Sequence, residues 1–230
     1  MTEHLLVALW RAASVSPDAL AAGIVEQWWP EAASSDAVES CTVSLAETDQ
    51  GQFVREPDAN GLVANCDVLL ALGLTRAHDL DDVPQRDVLH GLARRLEVWR
   101  VVPHHQIAWE RTWPDGEFAP GVKRVAFVRR KPELTHEQFV RHWTEEHTPL
   151  ARKHHPGVWD YTQNDLRRAY TPGGGGFDGI AELHFRTRAD SVERMYDSDA
   201  GRAIIAADVR RFIAGPCPES ALMRELPLRT

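Results

Sequence analysis

The same order of elements is written twice along this chain, 119 residues apart, and that repetition restricts the fold more than any other feature. Laying Leu5–Ala32 on Arg124–Ala151 needs no gap. It places Arg11 on Arg130, Ser16 on Thr135, Asp18 on Glu137, Leu20 on Phe139, Glu26 on Glu145 and Pro30 on Pro149. A second offset, of 111, lays Cys66–Leu74 on Phe177–Phe185 and matches Asp67 with Asp178 and Leu72 with Leu183. A repeat of this length is one supersecondary unit used twice, and internal duplication is the expected origin.

Local signals supply the elements. In the first copy, Leu5–Trp10 reads as a strand, and Ser16 caps a helix with Pro17 at its first position, which Pro30 is expected to stop. Val38–Ala46 alternates like a strand, Asp49–Asn65 is a loop, Cys66–Leu74 an apolar strand, Val83–Glu97 a helix and Val101–Thr112 a strand before the turn at Trp113–Gly116. The second copy reads as strand Val122–Arg130, helix Thr135–Lys153 capped by Thr135, and strand Val158–Tyr170. The loop Pro172–Gly176, strand Phe177–Thr187, helix Ala189–Ile213 broken near Ser198, and strand Ser220–Leu228 complete it. Each copy is β-α-β-β-α-β, so the fold class is α+β, built from tandem ferredoxin-like units spanning 1–119 and 120–230.

Composition agrees with two soluble units. The 230 residues are about twice one such unit, and the net charge of −8 argues against an electrostatic nucleic-acid binder. The first copy holds 8 Lys/Arg against 19 Asp/Glu and the second 18 against 15, which reads either as chance or as halves of opposite sign that meet. Cys41, Cys66 and Cys217 form no CxxC pair, so neither a disulfide framework nor a metal knuckle is indicated. The apolar run Leu5–Leu9 is too short to span a membrane. A cytoplasmic protein without membrane or nucleic-acid partners is expected.

The positions at which the copies differ point to chemistry. His147 lies opposite Trp28, Tyr161 opposite Cys41, Glu182 opposite Ala71 and His184 opposite Gly73. The second copy thus holds ionisable groups where the first is apolar or inert. Phe139, Trp143 and His147 share one helix face. His147 reads either as an acid/base group or as a helix-terminal histidine favoured by the dipole. Strand alternation puts Asp178, Ile180, Glu182 and His184 on one face, and Phe177, Gly179, Ala181, Leu183 and Phe185 on the helix side. If two such sheets face each other, the first set lines an enclosed cavity. Trp159, Tyr161 and Gln163 share a face with Asn164 on the other, a set suited equally to a flat polar ligand and to packing. His142 and Glu146 read as a surface pair, and the His104–His105 and His154–His155 neighbours as no chelate. No phosphate loop, dinucleotide fingerprint, HExxH or GxSxG occurs.

The run VAFVRRKPELTHEQFVRHWTEEHTPLARKH (125–154), with DYTQND (160–165), FDGIAELHF (177–185) and DVRRFI (208–213), resembles the EthD family. The matching positions are Phe139, Trp143, His147, Pro149 and Leu150; Tyr161, Gln163 and Asn164; Asp178, Gly179, Ala181 and Glu182; and Asp208 and Phe212. The resemblance covers about residues 122–228 and implies a dimeric α+β barrel, two ferredoxin-like units packed through their sheets. Here one chain would supply both, as a pseudo-dimer with a degenerate first repeat.

The resemblance also implies a small-molecule enzyme of oxidoreductase or dehydratase type acting on an apolar or aromatic metabolite. His147, Asp178 and Glu182 would be its catalytic groups; Trp143, Tyr161, Asn164 and His184 would bind the ligand; no metal or cofactor is expected. A non-catalytic metabolite-binding protein, and a haem-binding barrel ligated through His147, are the competing readings. A second copy of the whole chain is a further partner the resemblance leaves open.

Overall fold

A computed structural model describes residues 2–12, 14–47, 66–76, 80–215 and 219–230. The expected loop 49–65 and Cys217 lie outside the described residues. The first half runs β1 (Glu3–Arg11), α1 (Pro17–Ala22), α2 (Trp29–Ala33), β2 (Val38–Ala46), β3 (Val68–Leu74), α3 (Arg86–Leu92) and β4 (Ala93–Ile107). The second runs β5 (Val122–Val128), α4 (His136–Arg141), α5 (Thr148–His154), β6 (Val158–Ala169), β7 (Gly179–Phe185), α6 (Asp190–Glu193), α7 (Asp199–Phe212) and β8 (Glu219–Arg229).

The strands close into one antiparallel barrel in the order β1-β3-β2-β8-β5-β7-β6-β4. Within it, β4-β1-β3-β2 and β8-β5-β7-β6 are the same arrangement, joined through β2·β8 and β4·β6. The registers also agree. Val38 pairs with Leu74 and Val158 with Phe185, and each pairing is followed by a bulge, at Glu39 and at Trp159. Closure leaves no exposed sheet edge among these strands.

Capping and helix content repeat as well. Ser16 accepts from the Ala19 N–H and Thr135 from the Gln138 N–H, the latter as a reciprocal capping box. Neither helix stops at its proline. A π-helical segment, Gly23–Trp28 in one half and His142–His147 in the other, carries each past Pro30 and Pro149 into α2 and α5. The wider turn absorbs the missing proline N–H. In the second half the Trp143 carbonyl accepts from Thr148 Oγ1 and Gln163 Nε2 instead. The other departure is β4. The expected helix 83–97 is shortened to α3, and Ala93 onward is strand, because Leu96 and Arg95 pair with Leu9 and Trp10 of β1. Sheet pairing overrides local helical preference there.

Three apolar clusters divide the molecule. One packs the first half's helices on its sheet through Leu20, Ile24, Trp28 and Leu72. A second does so for the second half through Phe139, Trp143, Phe185 and Phe212. The third fills the barrel with Leu6, Trp10, Trp99, Val125, Phe127, Phe177, Ile180 and Met223. Phe177 belongs to this inner cluster rather than to the helix side; it precedes β7 and escapes the strand's alternation. Glu47 of the first half lies 3.7 Å from Arg188 and 3.8 Å from Arg224 of the second, so opposite charges do meet at one seam.

Two glycines are dictated by contact. A Cβ on Gly179 would stand 2.4 Å from the Trp143 ring, which packs on β7 there. Gly121 has φ +86°, and a Cβ would stand 1.9 Å from the Phe185 carbonyl oxygen. Gly121→Ala is therefore expected to destabilise the protein by at least about 2 kcal/mol in urea denaturation; an unchanged midpoint would show that the connector can move aside.

Candidate functional site

Alternation sorts the ionisable groups into three separate places. Inside the barrel, at the end where β1 and β5 begin, lies a cavity of about 360 Å³, at the small end of the usual range for small-ligand sites. Its second-half wall carries Lys123 (β5), Asp160 and Asn164 (β6), Glu182 (β7) and Glu225 (β8). Its first-half wall carries the register equivalents of several of these. His4 stands where Lys123 does, Ser40 where Asp160 does and Ala71 where Glu182 does. One wall is charged and the other is small and largely neutral, so space and charge come from opposite halves.

Lys123 Nζ is buried between two carboxylates, 2.6 Å from Glu182 and in contact with Glu225, and also reaches Ser44 Oγ at 3.3 Å. Burial alone would lower the lysine's pKa; the two carboxylates outweigh it and hold the ammonium protonated. Asn164 Nδ2 donates to Glu182 Oε1 (2.7 Å) and to the Ile180 carbonyl (3.3 Å). Asp160 accepts the Trp109 N–H; burial, then the nearby Glu225 and Glu182, push its pKa up to about 6 against the pull of Lys123. His105 Nδ1 lies 3.0 Å from Thr162 Oγ1 on the rim.

His184 shares the inner face of β7 with Glu182. Its Nε2 donates to the Pro120 carbonyl (3.1 Å), and burial, then the Lys123 charge, lower its pKa to about 3. The Trp109 ring lies tilted against it, with centroids 4.2 Å apart, and packs on Trp113 and Trp159, so the connector between β4 and β5 covers this end with aromatic rings.

The other expected site residues lie outside the barrel. His147 sits in the helical layer, where its Nδ1 meets Asp208 Oδ2 at 2.9 Å and its ring packs on Phe212. His142 Nε2 meets the other oxygen of Asp208 at 2.9 Å, and Arg211 is 3.3 Å from that same oxygen. The π-turn aligns residues five apart, so both histidines converge on one carboxylate. His142 is thus buried rather than a surface group, although Glu146 remains 3.3 Å from its Nδ1. Burial lowers the His147 pKa despite Asp208. Trp143 Nε1 donates to the Tyr161 hydroxyl oxygen (3.1 Å), which also accepts from Gln163 Nε2 (2.9 Å). Trp143 and Tyr161 thus belong to the helix–sheet core.

Asp178 lies in neither place. It accepts from the Arg130 N–H at 2.9 Å and pairs with Arg130 Nε at 3.0 Å. Asp67 makes the same clasp on Arg11, at 2.9 and 3.1 Å. A contact present in both halves ties the end of one strand to the start of another. The expected grouping of His147, Asp178 and Glu182 is therefore corrected: His147 is held on the outer side of the sheet, Asp178 just before the start of β7, and Glu182 inside with Asn164. The reading of the sequence missed Lys123, Asp160 and Glu225. Lys123 interrupts the inward-facing series with Val125 and Phe127, and that interruption was the available signal.

An α+β barrel whose second half bears an ionisable inner wall is the class defined by this geometry. Residues 131–216 match the EthD domain family. A solved structure described as a crystal structure study of an anthrone oxidase-like protein has the same fold, with a TM-score of 0.61 and 15% identity over 98% of this chain and 91% of that one. No curated protein sequence matches the chain. Among the described residues no helix is long and apolar enough to cross a membrane, and no cluster of three or more His, Cys, Asp or Glu side chains is arranged to hold a metal ion.

Proposed function

We propose that the protein is a small-molecule enzyme of oxidoreductase or dehydratase type, acting on an apolar or aromatic metabolite in the barrel cavity. The observation that carries this reading is Asp160, a carboxylate that burial pushes up to about 6, beside the Lys123–Glu182–Glu225 triad in the barrel cavity. A group that exchanges its proton near neutrality is suited to general base work, and perturbed titration in a cleft is a mark of functional sites. Asp160 is the proton acceptor. Asn164 and Lys123 hold Glu182 in place, and Trp109 covers the bound ligand. The match to the EthD domain family, and the fold shared with a protein described as anthrone oxidase-like, are in keeping with this reading.

On this reading residues 1–119 are a degenerate repeat whose Ser40 and Ala71 leave room, and residues 120–230 supply the reacting groups. His147 with Asp208, and Asp178 with Arg130, are scaffold. The test is a screen of aromatic ketones and phenols by thermal shift, with products followed by mass spectrometry. Asp160→Asn is expected to retain ligand-induced stabilisation and to lower turnover by about 10²–10⁴-fold. Turnover that survives Asp160→Asn would remove Asp160 from its role. Saturable binding without product would favour the metabolite-binding reading.

A further inference from the structure

Inward-facing side chains of a closed barrel are ordinarily its best buried. Of the cavity-lining groups on β5 to β8, Lys123, Thr162, Asn164 and Glu182 follow that rule, and only Asp160 and Glu225 are partly exposed. The first half reverses it. On β2 the inward Ser40 and Thr42 are partly exposed, whereas Cys41 and Val43, which face the helices, are completely buried. On β3 the inward Ala71 is the one residue of the strand that is not buried. Ala71 pairs with Leu6 on one side and Thr42 on the other, so its exposure is to the cavity it lines. The open space therefore lies against the first half's wall.

The pairing registers show what vacated it. Leu6, Ala71 and Thr42 lie side by side across β1, β3 and β2, as Val125, Glu182 and Thr162 do across β5, β7 and β6. Pro103 is the counterpart of Glu225. It stands two residues past Val101, the partner of His4, and Glu225 stands two past Met223, the partner of Lys123. The two carboxylates that clasp Lys123 thus have Ala71 and Pro103 in their places. The triad fills its own side of the barrel, and the lack of a twin leaves room on the other. The vacated wall is also uncharged near neutrality. Leu6, Ala71, Val101 and Pro103 are apolar, Ser40 and Thr42 offer hydroxyls, and burial, then His105, lower the His4 pKa. An apolar body gains by leaving water there, whereas a charged one would lose its hydration for no counter-charge.

We propose that Ala71 and Pro103 are specificity-determining residues: the uncharged apolar body of the ligand rests against them on the first half's wall, and its reacting end faces Asp160. This deepens the reading of the cavity as the ligand site and rests on it. The bulk at position 71 sets the largest body the barrel accepts.

The test is calorimetric titration of the whole chain with acetophenone and 2-acetonaphthone, ketones that differ by one fused ring. The parent is expected to bind the larger ketone more tightly, because it fills more of the vacated space. Ala71→Gln returns the bulk of Glu182 to its counterpart position without the charge. It should weaken 2-acetonaphthone by at least about tenfold and acetophenone by less than about threefold, since small changes in pocket volume discriminate on that scale. Ala71→Val, whose branched side chain suits a strand, intrudes less and should shift the same ratio in the same direction by about threefold. It keeps the test decisive if the glutamine variant does not fold. A merely distorted barrel would lose both ketones alike. Equal weakening of the two, no weakening, or a larger loss for acetophenone overturns the assignment of Ala71 and leaves the cavity as the ligand site. Failure of the parent to bind either ketone removes both readings.

Discussion

Replacing Lys123 by methionine is expected to destabilise the protein by about 3–5 kcal/mol, the cost of leaving buried carboxylates without their counter-charge. Lys123 is 6% exposed and its ammonium touches Glu182 and Glu225, both of which point into the barrel. Methionine fills a similar volume, so the loss is electrostatic rather than a cavity effect. A control separates the causes. The triple replacement Lys123→Met, Glu182→Gln, Glu225→Gln should recover most of the stability, since neutral amides no longer require the ammonium. Urea denaturation of all variants measures this, and a Lys123→Met protein as stable as the parent would show that the triad is not the buried unit described here.

The second large effect is acid lability. His147, His155, His184 and His4 all have folded-state pKa values lowered chiefly by burial. A folded value below the ordinary 6.5 means that the unfolded chain binds a proton the folded one refuses. Stability from each is therefore intact above about pH 6.5 and is lost as the pH falls through it, at up to about 1.4 kcal/mol per pH unit per histidine. For His184 the window extends from 6.5 down to about 3. Asp160 works in the opposite sense: raised to about 6, it holds a proton in the folded state that the unfolded chain releases down to its ordinary 3.8, so it offsets one histidine between those values. Asp67, also raised by burial, adds to that offset. Four histidines outweigh two carboxylates. The slope of stability against pH between 6 and 4 should flatten by about 1.4 kcal/mol per unit in His184→Gln and steepen in Asp160→Asn. An identical slope in parent and His184→Gln would mean that His184 accepts its proton freely.

Much of this architecture was legible locally. Ser16 and Thr135 announce their helices because a hydroxyl before a helical run has one favourable use. The matched Arg11/Arg130 and Asp67/Asp178 pairs, visible at the two offsets, turned out to be the same strand-end clasp made twice. The differences between the halves also singled out β7, where Glu182 and His184 face inward and Ala71 and Gly73 stand in the equivalent places of β3. What misled was proximity along a motif. His147, Trp143 and Tyr161 occur in the same family pattern as Glu182 and Asn164, yet a sheet only one layer thick separates them. Helix residues reach its outer face, and alternate strand residues reach its inner one.

The chain by itself determined two βαββαβ units, their caps, and which strand residues share a face, because hydrogen-bonding and side-chain periods are properties of consecutive residues. Only the tertiary structure decided which faces become an interior. Barrel closure through β2·β8 and β4·β6 brings Lys123, Asp160, Glu182 and Glu225 to one cavity opposite Ser40 and Ala71. Those groups come from four strands up to 102 residues apart. Their titration and their pairing follow from burial in a shared low-dielectric space, which no local run of sequence encodes.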